Sequence, residues 1–500
     1  MSEPITRRKI IVDYRINATK CKDCGMIYFP PKLFCYNEGR DSRMEELDFF
    51  YKKGVMYSGA VINTPSNKFK DLGAHISGIF EFPDHGFRVP GRITDFIPPN
   101  ESVDFSSHIG REVVPRFRRN YSGSEDGLVH YSSLNFSFTD GYYPHQEYVK
   151  IDPSKEVERP GIVGYGVYLP KYRIKNEGGG VLGVTERTLP FADEDTTTFS
   201  VEAGKRALIH AALDSTYVTK CFVGTESPTY AVKPIMATVV QALELGDEFE
   251  DGYFSGGIDS QFACKAATDL FIDAAALVNY PNFGGEHVMV IGSDNSQASP
   301  GDPLDYTVGA GAAAFIFGRR DVIATLDHYL AYTSDTPDFY RREGEKYPRH
   351  GGRFTGTPAY YKHVLTATKA ILKKSGLKHE DINYVIFHGP NASFPQRAAQ
   401  QAGFTREQVA TAASTIAKIG NLYSGSCPAS LGAVLDISEP GDKILMTAYG
   451  SGAGSDSYVF TVTDKIVEKR ERLVPVQDQI ESPHKEYVDY VFYRKMKDIA

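Results

Sequence analysis

The feature that most restricts this 500-residue chain is a change of hydrophobic rhythm across residues 152–160, DPSKEVERP. Before it lie short alternating segments, YSGAVIN, HISGIFEF, FRVPGRITDF, EVVPRF and LVHYSSLNFSF, punctuated by Gly, Pro, Asn and Asp. That is the pattern of a small antiparallel barrel of OB type. After it the chain alternates buried strands with helices. GIVGYGVYLP, CFVGTES, VMVIGSD and AAAFIFG form a first set and YVIFHGP, KILMTAYG and DSYVFTV a second, with FSVEAGKRALIHAAL and YYKHVLTATKAILKKSGL read as helices. Two such sets imply a duplicated α/β body. The charged, proline-bounded stretch between the regimes has no apolar period and reads as a linker.

Composition narrows the class. With 41% hydrophobic and 24% charged residues the chain is globular, and its length calls for two or three domains. A net charge of −8 gives no general case for nucleic acid or an anionic membrane. No window approaches about 18 uninterrupted apolar residues, so no membrane span is expected. The N-terminus is interrupted by charges before any apolar core of a signal peptide forms. Six cysteines in a chain this long do not make a disulfide framework, and a cytoplasmic setting is expected. The barrel's basic residues, Arg111, Arg116, Arg118 and Arg119, sit in one segment without a groove of stacking aromatics, so nucleic acid is not the expected partner.

One cysteine stands out. Cys264, in FACKAATD, follows the glycine-rich turn SGGIDSQ and opens the apolar run Ala266–Val278, read as a buried helix. A thiol there meets unpaired N–H groups and the positive helix end, which favour thiolate. It is either a nucleophile or a small buried hydrophobe, as free cysteines often are. Lys265 is read as a helper of the thiolate or as a surface or CoA-facing lysine, and Cys221 and Cys427 as structural. Glu226 and His388 each close a buried strand, where sites form in α/β sheets. Asn421 in IGNLYSGSCP and the loop AYGSGAGSD offer donors for a developing oxyanion; that loop lacks the Lys-Ser/Thr of a P-loop, which speaks against nucleotide.

Near the start, Cys21, Cys24 and Cys35 have the spacing C-x2-C-x10-C. Zinc usually takes a fourth ligand shortly after the third cysteine, and here Glu38 stands there, with Asp41 as a second candidate. CKDCGMIYFPPKLFC, KGVMYSGAVIN, FRVPGRITDF and EDGLVHYSSLNF resemble the zinc-ribbon plus OB-fold proteins that accompany thiolase-superfamily enzymes. The resemblance implies an acyl-CoA-handling module fused ahead of its enzyme.

The enzyme body resembles the hydroxymethylglutaryl-CoA synthase family, in its archaeal form. The carrying segments are GIVGYGVYLPKYRIK, DEDTTTFSVEAGKRAL, VGTESPTYAVKP, FACKAATD, DYTVGAGAAAFI, SDTPDFYRREGEKYPRHGGRFTG, FHGPN, GNLYSGS, YGSGAGSD and the tail YVDYVFYRKMKDIA. The family implies a thiolase fold of two βαβαβαββ halves, a homodimer, and acetyl-CoA and acetoacetyl-CoA as substrates. Carried over, Cys264 is the acyl acceptor, Glu226 the general acid/base and His388 the residue that polarises the second substrate's carbonyl. Asn421 and Ser451 line the acyl site, and Arg173 and Lys233 contact CoA. The resemblance breaks after His388, where Gly389, Pro390, Asn391, Ala392 and Ser393 replace the family's frequent glutamine-proline-asparagine-glycine-lysine. A CoA-entrance lysine is thereby lost, which points to a contact from the fused module or to a bulkier β-ketoacyl substrate. Two other readings stay open: a related condensing enzyme on another ketone, and a scaffold that docks a thiolase and channels acetoacetyl-CoA.

The expected domains are a zinc-ribbon-like segment with a flanking helix (1–45), an OB barrel (46–152), a linker (153–160), a thiolase-fold condensing domain (161–465) and a C-terminal extension packed on it (466–500).

Overall fold

A computed structural model of the chain describes residues 12–13, 16–49, 52–67, 69, 74–94, 105–122, 129–138, 159–190, 194–250, 252–281, 283, 286–483 and 485–499. Most of the linker (153–158), the segment 1–11 where a helix flanking the ribbon is expected, and the side chains of Arg116, Arg118 and Arg119 lie outside the described residues. The chain divides into two compact units, Met1–Lys155 and Glu156–Ala500.

In the first unit, Asn17–Cys21 is the centre of a three-stranded sheet between Ile27–Tyr28 and Met44–Asp48. A closed five-stranded barrel follows. Gly54–Ile62, His75–Phe82, Phe87–Ile93, Val129–Phe138 and Glu112–Ser122 neighbour one another in that order, and Gly54 pairs back with Val113. The alternation read from sequence points Met56, Ile76, Phe80, Val89 and Phe136 inward, with the rings of Phe80 and Phe136 stacked 4.0 Å apart.

The second unit is built on one nine-stranded sheet. Its order is Gly256–Ser260, Val218–Gly224, His287–Asp294, Gly311–Gly318, Gly161–Tyr168, Ala324–Thr333, Gly454–Val462, Lys443–Gly450 and Tyr384–Phe387. The two halves meet through only two residue pairs, Ala324 with Ile162 and Thr325 with Gly161. Between the half-sheets runs the helix Ala266–Asn279, on which Phe271 touches Phe315 of the first half and Tyr458 of the second. This is the doubled α/β arrangement expected.

Two strands depart from the sequence reading. SGGIDSQ, read as a turn, supplies the edge strand Gly256–Ser260, parallel to Val218–Gly224. Gly257 reflects close packing: a Cβ there would fall 1.7 Å from the Cys221 carbonyl oxygen. Ala324–Thr333 went unread because its outer half is largely open and carries polar and aromatic residues instead of an apolar run. The C-terminal segment adds Glu486–Tyr487 in parallel to Tyr172–Lys175, and its last helix, Tyr490–Ile499, sets the hydroxyls of Tyr490 and Tyr493 on Asp305. Among the described residues no helix is long and apolar enough to cross a membrane.

Candidate active site

The loop after Val218–Gly224 and the start of the helix Ala266–Asn279 come together because nothing larger than glycine fits between them. A Cβ on Gly224 would lie 2.1 Å from the Ala267 nitrogen. This contact brings Glu226, two residues past the strand, to Cys264, two residues before the helix. Ala263, just ahead of the cysteine, has φ 42°, a left-handed turn that lifts Cys264 out of the helical register.

Cys264 is 5% exposed, in an apolar shell of Ala298, Val308 and Tyr423 with Leu304 and Phe339 against it. Its thiol faces the Glu226 carboxyl and the Asn421 side chain and is coupled to both. Burial, then the charge of Glu226, push the thiol well above its usual range. The helix-end effect expected from sequence is therefore outweighed at rest, since the helix begins only at Ala266 and desolvation is the larger influence.

Glu226 as a residue is partly open, but its Oε1 is sealed from solvent with no hydrogen-bond partner. Burial and the neighbouring Asp294 push the carboxyl up to about 8. Asp294 closes the strand His287–Asp294 and is fully buried. Its Oδ1 accepts from Thr225 Oγ1 (2.8 Å), the Glu226 N–H (2.7 Å), the Ser227 N–H (3.0 Å) and Ser227 Oγ (2.6 Å), and its Oδ2 accepts from the Ser424 N–H (2.8 Å). Burial raises it and these donors oppose the rise, leaving it at about 6. Sequence reasoning missed this hub, although the strand-end rule applied to Glu226 and His388 would also have reached it.

Asn421 is fixed by its Oδ1, which accepts from the Tyr423 N–H (2.9 Å) and Ser426 Oγ (2.7 Å), so its amide NH2 is left for the thiol. His388 follows the strand Tyr384–Phe387, is 1% exposed, and its carbonyl accepts from Tyr360 (2.7 Å). Its Nδ1 has no partner, and burial holds the ring down at about 3, hence neutral. Tyr449 borders both sides of the site: its ring lies 6.3 Å from that of His388, and its hydroxyl is electrostatically coupled to Cys264. Ser451 lies beside Tyr449, whose hydroxyl donates to Asp338 (2.7 Å). The Gly452 N–H, a donor expected for an oxyanion, is already committed to Asp338 (2.9 Å).

The remaining sequence candidates lie elsewhere. Lys265 is neither a surface group nor a partner of the thiol; it is 3% exposed and ion-paired with Asp456 (3.1 Å) and Asp269 (2.7 Å). Its ammonium turns away to Asp456 on the strand Gly454–Val462. Arg173 is buried and lines a cleft of about 400 Å³ with Tyr168, Arg206 and Lys485, apart from the cysteine. Lys233 is exposed and donates to Thr238 (2.9 Å). Cys221 and Cys427 are buried thiols, pushed up by burial and then by the charges of Asp259 and Asp456 respectively. None of the six cysteines is in a disulfide. Cys21, Cys24 and Cys35 converge to within 4.8 Å of one another, with Cys24 and Cys35 sulfurs 3.4 Å apart, while the exposed Glu38 is not among the converged groups. Tyr28 approaches Cys35 instead, at 3.2 Å.

Residues 372–462 match the family model described as 3-oxoacyl-[acyl-carrier-protein (ACP)] synthase III C terminal. The hydroxymethylglutaryl-CoA synthase of Methanobrevibacter smithii is 45% identical over 349 residues, covering 67% of this chain and 98% of the relative. That of Methanopyrus kandleri is 43% identical over 352 residues, 68% and 97% of the two chains. Among solved structures, MvaS in complex with 3-hydroxy-3-methylglutaryl coenzyme A superposes with a TM-score of 0.59 at 21% identity, over 68% of this chain and 91% of that one. A 3-oxoacyl-(acyl carrier protein) synthase III from Pseudomonas aeruginosa gives 0.54 at 18%, over 61% and 99%. These structural likenesses establish the thiolase-type fold, and the sequence identities establish the kinship: the chain belongs to the hydroxymethylglutaryl-CoA synthase family.

Proposed function

We propose that the chain is an acyltransferase that condenses acetyl-CoA with acetoacetyl-CoA and water to give 3-hydroxy-3-methylglutaryl-CoA and CoA. The observation that carries the residue roles is the placement of the Cys264 thiol against the Glu226 carboxyl inside an apolar shell. The carboxylate accepts the thiol proton as sulfur attacks the acetyl thioester; the proton passes to the departing CoA sulfur, leaving acetyl-Cys264. Glu226 then removes a proton from the acetyl methyl, for which a desolvated carboxyl near 8 is suited. The enolate carbon attacks the keto carbon of acetoacetyl-CoA, whose oxygen takes up a proton and lies against neutral His388. Water cleaves the thioester to Cys264, releasing the free carboxyl of the product and restoring the thiol. Asn421 and Ser451 line the acyl pocket.

Three further readings accompany this. The converged thiols of Cys21, Cys24 and Cys35 fit a structural zinc, whose role would be to hold the ribbon strands. A homodimer through the open edge Gly256–Ser260 is supported by the exposed Val232, Phe254 and Ile258 on and beside it. The N-terminal unit is suited to docking a thiolase that supplies acetoacetyl-CoA, and six unpaired cysteines fit a cytoplasmic setting.

Mass spectrometry after mixing with acetyl-CoA, followed by an acetoacetyl-CoA chase, tests the mechanism. Expected are an acetyl adduct on the Cys264 peptide that discharges to the product, no adduct in C264A, a slowed adduct that does not discharge in E226Q, and a normally formed adduct that persists in H388A. A C264A variant that still turns over would refute the acyl-enzyme. A wild-type adduct that persists through the chase would mean a different second substrate.

A further inference from the structure

Arg341 is a cation at the mouth of a site otherwise furnished with carboxyls and thiol. It sits in the short hairpin formed by Phe339–Tyr340 and Arg349–His350, and that hairpin is fastened at both ends. At one end Asp338 accepts from Thr336 (2.6 Å), Tyr449 (2.7 Å) and the Gly452 N–H (2.9 Å). At the other His350 Nε2 meets Asp302 at 3.0 Å. Phe339, two residues before Arg341, packs on the Cys264 shell.

From this frame the Arg341 guanidinium forks. One arm donates to the Glu226 main-chain carbonyl at 2.8 Å, and the other donates to Gln297 Oε1. It forms no ion pair with a carboxylate side chain among the described residues, so its charge is not cancelled locally. The Glu226 main chain is thus held from two sides: its N–H donates to Asp294 and its carbonyl accepts from Arg341.

We propose that Arg341 is a positioning residue for the general base, fixing the Glu226 loop beneath the Cys264 thiol and presenting a cation to the buried Glu226–Asp294 pair. The groups that face Glu226 are Cys264 before its helix, Asp294 at its strand end, Tyr423 from the turn after Asn421, and Arg341 from the hairpin. Asp294 resists ionisation of Glu226, whereas the Cys264 thiol and the Arg341 guanidinium favour it, and Arg341 is the one of these groups that carries a positive charge. The proposal rests on the reading of Glu226 as base.

The test is the pH profile of kcat/KM for the wild type, R341Q, R341K and E226Q, with melting curves as a fold control; Arg341 is exposed, so its variants are expected to fold. A base must be ionised, so activity falls on the acid side. Losing the cation raises the base's pKa, and the R341Q acid limb moves to higher pH. The expected loss is about 3- to 10-fold below the limb, shrinking above it. R341K keeps the charge and loses the fork, so its limb stays near the wild-type position with a smaller, even loss. A parallel drop in R341Q at every pH, a change in KM alone, or an unmoved profile each overturn the proposal. E226Q that still condenses overturns the base reading itself, a separable outcome.

Discussion

The main-chain N–H of Glu226 donates to Asp294 Oδ1 at 2.7 Å, so one buried carboxyl positions the backbone of another. Three further donors on that oxygen and the Ser424 N–H on the other tie the Glu226 loop to the turn that carries Asn421. D294N replaces one acceptor oxygen with a donor and leaves buried N–H and O–H groups unmatched. Urea denaturation is expected to show a loss of about 1–3 kcal/mol. A shift of the Glu226 loop by an ångström would lower kcat by about 10²-fold. Native stability together with native kcat would remove Asp294 from this role.

His210 offers a pH test away from the chemistry. It is 0% exposed, its ring lies 4.3 Å from that of Tyr165, and burial, reinforced by Lys469 and Arg472, holds it down at about 3. The folded state keeps the ring neutral while the unfolded chain protonates it near 6.5. The stability it contributes is therefore present above pH 6.5 and lost as pH falls toward 3, about 2 kcal/mol by pH 5. In H210L the difference in unfolding free energy between pH 8 and pH 5 should shrink by about that amount. An unchanged difference would mean the ring is protonated in the fold.

The cysteine cluster makes a compositional prediction. Elemental analysis should find about one zinc per chain, lost in C24S and retained in E38Q, because the Glu38 carboxyl does not converge with the thiols. Chelation should lower the melting temperature of the wild type but not of C24S. Zinc lost from E38Q would place Glu38 in the site after all.

Ile258 is 54% exposed on the sheet's open edge. A charge there should oppose pairing of two edges, and I258K is expected to run as a monomer in light scattering at concentrations where the wild type is a dimer. A wild-type monomer would refute the dimer reading, and a dimeric I258K would move the interface elsewhere.

Several features were legible because they depend on local pattern. Period-two alternation marked the barrel strands, and apolar runs bounded by glycine marked His287–Asp294, Gly311–Gly318 and Lys443–Gly450. The helix that follows Cys264 was read from Ala266–Val278 and runs Ala266–Asn279. Strand ends pointed to Glu226 and His388. What escaped was whatever depends on chain segments far apart. Gly256–Ser260 carries no apolar run, and its Gly257 answers to the Cys221 carbonyl on the next strand. Lys265 took its role from Asp456, 191 residues away, and Arg341 from a carbonyl 115 residues before it.

The sequence by itself determined the two regimes of patterning, the doubled α/β body and the types of reactive group, since these follow from side-chain periodicity and chemistry. Only the tertiary structure decided how those groups behave. Burial, not the helix end, governs the Cys264 thiol, and Asp294 and Arg341 act on Glu226 in opposite senses. Desolvation and Coulombic coupling depend on distances across the fold, and no spacing along a single chain encodes them directly.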